Sequence, residues 1–493
     1  MKRDENKSKN TAANVLTVIF LLSEALFIAM MVTAGIFSAK HIIFAGVILL
    51  IITLITLILL RSDRQKKGRR RTGAALAVLF SVILAIGSYY LYSTFDLFGT
   101  ISKDDKQTED FYVAVLKDGS YDDISDIKGE TVFVSEGESD SYKDAKDRLK
   151  DEYEVTYENS GAYVDLGRKL IGADGSKQDN IIFISGINYD MLCEEISNFK
   201  DDTKILTTVS IEMESTDVAK PANVTEQPFN VYISGIDTYG NINKVSRSDV
   251  NMIMTVDPVR KKILLTSIPR DMYVTLHSYG AKDKLTHTGI YGVDETVTTV
   301  EDWLGIDINY YLRVNFTTLE DVVDVIGGID VESEYSFKSS ASKYSYVKGI
   351  NHMSGEAALY FARERYAFAS GDNQRVRNQQ LVIQGIINKI MSDKSLLIKY
   401  PQLLGAVRDQ MRTNMTDDDI SSLVKMQLDD MTGWEIETCA ITGTGTMAAT
   451  YSGGSQNLSV IIPSDTSVSY AAGKIRDMMN LSLIHISEPT RRS

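Results

Sequence analysis

SRSDVNMIMTVDPVRKKILLTSIPRDMYV, residues 246–274, reads as two strands and the turn between them. VNMIMTVD and KKILLTSIP are short apolar runs of strand length, and the PVR between them suits a hairpin with a proline-started turn. The charged residues stand at the outer ends. Arg247 and Asp249 precede the first run, and Arg270 and Asp271 follow the second.

Upstream, FNVYISGID (229–237) is another apolar strand, ending in Asp237, and YYLRVNF (310–316) is a fourth. Helical spacing recurs in ETVTTVEDWLG (295–305), TLEDVVDVIG (318–327), SGEAALYFARER (354–365) and NQQLVIQGIINKIM (378–391). Interleaved strands and helices predict an α/β or α+β class with one main mixed sheet. A second set of strands, FYVAVL, TVFVS, NIIFIS and ILTTVSIEM, with the charged helix SYKDAKDRLKDEYE among them, predicts a small accessory α/β domain over 111–225. Residues 99–110 are polar and read as a linker, and the main domain is expected over 228–480. Its motifs are confined to 228–391.

The first 98 residues differ from the rest. Apolar runs at about 15–37, 42–60 and 73–92 each approach the ~20 residues that cross a bilayer as a helix. A signal peptide accounts for one such run, not three. The loop RSDRQKKGRRR (61–71) has seven basic residues against Asp63, and MKRDENKSKN at the start is also basic. Both are expected in the cytoplasm, which puts everything after about residue 95 outside. Residues 1–98 carry a net charge of +7 and the remainder −21. An acidic exterior is a poor general binder of polyanions. Cys193 and Cys439 make no metal spacing and no disulfide framework. LSLIHISEPTR (481–491) reads as the conceptual translation of a transposon-based sequencing adapter, so residues 481–493 are set aside.

FARERYAFASGDNQRVRNQQ (361–380) packs Arg363, Arg365, Arg375 and Arg377 into twenty positions. Surface ion pairs explain any one Arg–Asp neighbour pair, at about 0–1 kcal/mol each. A break at SGDNQ, however, starts a new helix at the second arginine pair. Cations there oppose the helix dipole and suit an anion site instead. Guanidinium forks match pyrophosphate oxygens bidentately, and phosphoryl transfer needs positioning and charge neutralisation above all. Magnesium takes one or two carboxylates plus phosphate oxygens and water, and Asp237 and Asp249 are candidates.

SGIDTYG, the 246–274 stretch, DKLTHTGIYG, YYLRVNF, VIGGIDVE, NHMSGEAALYFARERY and GDNQRVRNQQ together resemble the LytR–CpsA–Psr (LCP) family, in order, over about 228–391. The three spans and the extra domain resemble its capsule-type members. The resemblance implies an α/β/α fold with an apolar lipid-tail pocket. It implies an extracytoplasmic, multi-pass membrane phosphotransferase of Gram-positive bacteria, with a pyrophosphatase side activity. The enzyme moves a glycan, here capsular polysaccharide, from polyprenyl pyrophosphate to a peptidoglycan hydroxyl and leaves polyprenyl phosphate. Implied partners are that lipid-linked glycan, peptidoglycan, membrane lipid and capsule-assembly proteins, with no nucleic acid.

Carried over onto this sequence, Asp237 and Asp249 resemble the Mg2+-associated carboxylates. Arg247, Arg270, Arg363, Arg365, Arg375, Arg377 and Gln379 resemble pyrophosphate-binding residues, with Asp249, Arg247, Arg270 and Arg377 catalytic. Asp271, Asp372, Lys282 and Lys284 are supporting. His287 and His352 receive no chemistry. Asn373 departs from the aromatic or apolar residue often found there in the family. Two rivals remain at this stage: a membrane-bound attenuator of capsule-gene transcription, and a non-catalytic polyprenyl-phosphate-binding scaffold. The cytoplasmic segments are too short for a helix-turn-helix.

Overall fold

The structure, a computed structural model, describes residues 2–33, 37, 39–62, 67–101, 106–135, 139–214, 218–236, 242–340, 344–369, 371–392, 396, 410–453 and 457–486. Asp237 lies outside the described residues. Helices α1 (Lys2–Thr33), α2 (Ala39–Leu60) and α3 (Lys67–Ile101) come first. All three hold stretches long and apolar enough to cross a membrane: Ala13–Thr33, Ala39–Leu60 and Lys67–Ser93. Glu24 accepts a hydrogen bond from Thr53, so the one acidic residue of the first span is satisfied by its neighbour.

The accessory domain contains β1 (Lys106–Leu116), β2 (Thr131–Val134), α4 (Asp140–Tyr153), β3 (Thr156–Asn159), α5 (Tyr163–Gly167), β4 (Ile181–Ser185), α6 (Gly186–Glu195), α7 (Phe199–Asp202) and β5 (Thr203–Glu214). Its five-stranded sheet has the order β3-β2-β4-β1-β5, with apolar clusters on both faces. Helix α4 begins at Ser139, whose side chain accepts from the Tyr142 amide. The strand β1 starts within the expected linker. Its inward side there carries Gln107 and Glu109, both buried, so the hydropathy that marks a strand is missing from its first half.

The second domain holds β6 (Phe229–Ile236), β7 (Ser248–Asp257), β8 (Lys262–Ile268), β9 (Tyr273–Thr275), β10 (Lys282–Lys284), α8 (Leu285–Thr288), α9 (Val293–Leu304), β11 (Tyr310–Asn315) and α10 (Phe316–Val325). It continues with β12 (Ile329–Ser333), β13 (Phe337–Lys338), β14 (Ser345–Tyr346), β15 (Gly349–Met353), α11 (Gly355–Arg363), α12 (Asp372–Ser392) and β16 (Met411–Thr413). The last elements are α13 (Asp417–Asp430), β17 (Glu435–Ala440), β18 (Gly443–Ala449), β19 (Asn457–Pro463) and α14 (Asp465–Ile486).

The main sheet has the order β16-β11-β6-β7-β8-β17. β11 runs parallel to β6 and β17 parallel to β8, and the other pairs are antiparallel. Side chains alternate across it, as strand geometry requires. Tyr232, Ile253 and Leu264 pack with α9 and α14 through Val297, Val300 and Ile475. Ile233, Met252 and Leu265 face the other way, where Ile383 and Ile387 of α12 cover them. The result is an α/β/α sandwich, each buried Leu or Ile adding roughly 1.5–3 kcal/mol. The β7–β8 turn closes as the sequence predicts. Asp257 accepts from the amides of Val259 and Arg260, which turns the chain, and Asp257 pairs with Lys262 across the hairpin.

Two seams join these parts. Thr108 of β1 donates its amide to Asn243 (2.9 Å) and accepts from Val245 (2.8 Å), while Val245 and Ile290 pack into the accessory-domain core. Beside the membrane helices, Lys40 and His41 pair with Asp429 of α13, and Phe37 and Leu91 pack with Ile420 and Val424.

Candidate functional site

The hairpin brings the start of β7 beside the end of β8, since Asn251 faces Ile268. Asp249 and Arg270 therefore meet. Arg270 Nη1 donates to Asp249 Oδ2 at 2.7 Å, and Thr286 Oγ1 of α8 donates to Oδ1 at 3.0 Å. Asp249 is buried, which opposes ionisation. Arg270, Arg247 and Arg375, together with the Thr286 hydroxyl, outweigh burial and hold its carboxyl below the usual carboxylate range.

Close backbone approach sets this geometry. A Cβ on Gly289 would stand 2.6 Å from the Ser246 carbonyl, so only glycine lets the segment after α8 lie against the residues leading into β7. Arg247, in that lead, is gripped from the accessory domain. Its Nη1 and Nη2 donate to Glu194 Oε2 and Oε1 at 3.0 and 2.5 Å. Burial would lower the Arg247 pKa, but Glu194 and Asp249 raise it above the ordinary value.

Helix α12 delivers Arg375 to the same place. Its Nη2 is 2.6 Å from Asp372 Oδ1, an ion pair without hydrogen-bond alignment, and its side chain is 9% exposed. Burial depresses the Arg375 pKa and raises that of Asp372. Asp271 is 3.4 Å from Lys284 Nζ and 3.9 Å from Arg270 Nε. Arg365 stacks on Tyr366 and donates to its hydroxyl at 2.6 Å, yet contributes to the electrostatics of Asp372 and Arg375. Arg270 Nε, Arg375 Nε and both Asp372 oxygens are buried without hydrogen-bond partners among the described residues. Unmet buried donors of this kind suit an anionic ligand.

Other predicted residues point elsewhere. Arg377, two residues past Arg375, is 58% exposed and pairs with Glu334 at 3.3 Å. Residues two apart on a helix lie about 200° around it, so both cannot face one cavity. The Arg363 guanidinium lies 4.2 Å from the centre of the Phe316 ring. Gln379 is half-buried, Lys282 lies over Tyr273, and His352 pairs with Asp330. His287 is buried, its Nδ1 close to both Asp283 Oδ1 and Ser452 Oγ at 2.7 Å. Sharing one ring nitrogen, those three do not form a nucleophilic relay. Both cysteines are free.

Three residues escaped the sequence reading. Glu194 and Thr286 carry no local signal for their roles. Arg313 does: it is an arginine in the apolar strand β11, 5% exposed, and pushed down to about 10 by burial. Its Nη2 donates to the Lys244 carbonyl at 2.7 Å. It stands opposite Ser234, three residues before Asp237.

Hard carboxylate oxygens have the chemistry a magnesium site needs. Asp249 supplies one, although both its oxygens are already engaged. Among the described residues no group of three His, Cys, Asp or Glu side chains converges on a metal position.

The sequence matches known proteins. The LytR_cpsA_psr family matches residues 195–462, and this chain belongs to that family. A polyisoprenyl-teichoic acid–peptidoglycan teichoic acid transferase, TagU, of Bacillus cereus is 36% identical over 200 residues, 40% of this chain. The match spans 64% of that relative's length. TagU of Enterococcus faecalis is 36% identical over 226 residues, 45% of this chain and 72% of its own. The crystal structure of B. subtilis TagU is similar at 30% identity with a TM-score of 0.40, over 51% of this chain and 97% of that one.

Proposed function

We propose that this protein transfers a glycan from a polyprenyl-pyrophosphate carrier to a hydroxyl of peptidoglycan, outside the cell membrane. The observation that carries the reading is the buried Asp249 among Arg247, Arg270 and Arg375, with the Nε groups of the last two lacking hydrogen-bond partners among the described residues. A pyrophosphate offers those donors oxygens and charge in one ligand. The chain's own work is electrostatic. Asp249 stays ionised and fixes Arg270. The arginines align the pyrophosphate and take up charge as the bond to the leaving polyprenyl phosphate breaks. The acceptor hydroxyl attacks the glycan-side phosphorus, its proton passes to solvent water, and the bridging oxygen leaves on polyprenyl phosphate.

Magnesium, held by Asp249 and Asp237, would neutralise charge on the phosphate oxygens. The donor glycan is proposed to be capsular, in keeping with the extra domain and three spans. The basic segments at residues 2–9 and 61–71 support a cytoplasmic N-terminus. Contact of Lys40 and His41 with α13 supports an exterior main domain, since it puts the first residues of α2 beside that domain.

The test is full-length protein in detergent micelles with magnesium, a polyprenyl-pyrophosphate glycan and peptidoglycan. Release of polyprenyl phosphate with glycan joined to peptidoglycan, both stopped by chelation, is expected. Intact donor under these conditions would overturn the proposal. Pyrophosphate hydrolysis without an acceptor is the expected side reaction.

A further inference from the structure

A cavity of about 630 Å³ lies on the seam between the two domains. From the main domain, Tyr279, Tyr291 and Tyr451 line it. Their rings form one cluster, with Tyr279 centred 4.7 Å from Tyr291 and 4.8 Å from Tyr451. Tyr279 is 43% exposed and Tyr451 48%, so large aromatic surface is left uncovered. Facing it from the accessory domain are Glu109, Ser139, Ser141 and Asn188.

The aromatic wall is held in place. Ser278, beside Tyr279, donates its hydroxyl to buried Glu295 at 2.5 Å. Tyr451 donates its amide to the Lys282 carbonyl at 2.9 Å. The Ser452 amide binds Asp283 at 2.8 Å, and its hydroxyl meets His287. A platform fixed beforehand loses little entropy when it binds. The otherwise idle Asp283–His287–Ser452 cluster thereby acquires a purpose, anchoring the turn that presents Tyr451.

We infer that this seam cavity binds a neutral pyranose saccharide. Aromatic faces suit the C–H faces of a sugar ring, and hydroxyl and carboxyl groups opposite suit its hydroxyls. No lysine or arginine lines the cavity among the described residues, so it is no second pyrophosphate site. Glu109, already bound by Ser141 at 2.5 Å, is raised by burial to about 7 and can offer a sugar hydroxyl either a proton or a lone pair. Thr286 and His287 are adjacent in sequence, one binding Asp249 and the other Ser452, so the cavity and the charged site share a wall. The saccharide has two available sources, the acceptor glycan and the transferred one.

Isothermal titration of the full-length protein in micelles tests this without any lipid donor, and so independently of the transfer reaction. One arm uses muramidase-released peptidoglycan fragments, and the other mild-acid oligosaccharides from the wall polysaccharide of the source cells. Saturable binding in either arm is expected, and the arm that binds identifies the source. Tyr279→Ala or Tyr451→Ala should raise Kd about tenfold, while Tyr451→Phe and Arg375→Lys leave it near wild type. No binding in either arm up to about 10 mM would overturn the inference. So would binding that neither alanine variant changes, or that Arg375→Lys abolishes.

Discussion

Glu194 of the accessory domain holds Arg247 of the main domain by both carboxylate oxygens, at 3.0 and 2.5 Å. An arginine proposed to bind pyrophosphate is thus already occupied by a carboxylate from a different domain. An incoming phosphate must compete for that guanidinium. Glu194→Gln should therefore tighten binding of polyprenyl pyrophosphate by about tenfold, roughly 1.4 kcal/mol. Equilibrium binding of a labelled lipid reads it, and weaker binding would show that Glu194 positions Arg247 without competing.

Arg375 reaches the site from α12 with its Nε unpaired. Arg375→Lys keeps the charge and removes the fork. The rate of polyprenyl phosphate release should fall by about 10²–10³ with the thermal midpoint little changed. A rate within about twofold of wild type would remove Arg375 from the site.

Asp249 has its pKa lowered in the folded state, so its stabilising contribution is full above the unfolded value of 3.8. It is lost as pH falls through the folded pKa. Asp249→Asn should flatten the acid limb of the unfolding midpoint against pH. It should also lower stability near neutrality by several kcal/mol, because buried Arg270 loses its charged hydrogen-bond partner. Parallel acid limbs in the two proteins would contradict this account.

Glu109 gives the opposite sign. Burial raises its pKa from 4.5 to about 7, so the folded state holds the proton more tightly than the unfolded chain. Its contribution is full below about pH 4.5 and declines as pH rises through about 7, by on the order of 3 kcal/mol. Glu109→Gln should make the protein less sensitive to pH across that window. Thermal unfolding at several pH values between about 4 and 8 checks it, and identical slopes would exclude Glu109 as the source.

Much of the fold is written in local patterns. The hairpin at 248–268 follows from two apolar runs and Pro258, and its register alone puts Asp249 near Arg270. The three apolar helices follow from length and hydropathy. Other features depend on contacts that no local pattern carries. Glu194 and Arg247 are far apart in sequence and meet only because two domains pack. Strand β1 hides its first half behind buried polar side chains at 107 and 109. The separation of Arg375 from Arg377 was within reach of the sequence: the break at SGDNQ already predicts the helix, which runs from Asp372, and helical rotation then parts residues two apart. The hairpin of β18 and β19, which leads away from Tyr451's turn, had no reading from sequence at all.

The backbone bonds of Thr108 to Asn243 and Val245 make the accessory domain a splint for the residues that carry Arg247. Removing residues 106–214 would strip Val245 and Ile290 of their covering and leave the Asn243 carbonyl and the Val245 amide without their Thr108 bonds. Such a truncation would silence the protein even if the excised part never meets a substrate. The two halves are consequently expected to melt in one transition, as a single cooperative object rather than an enzyme with an appendage.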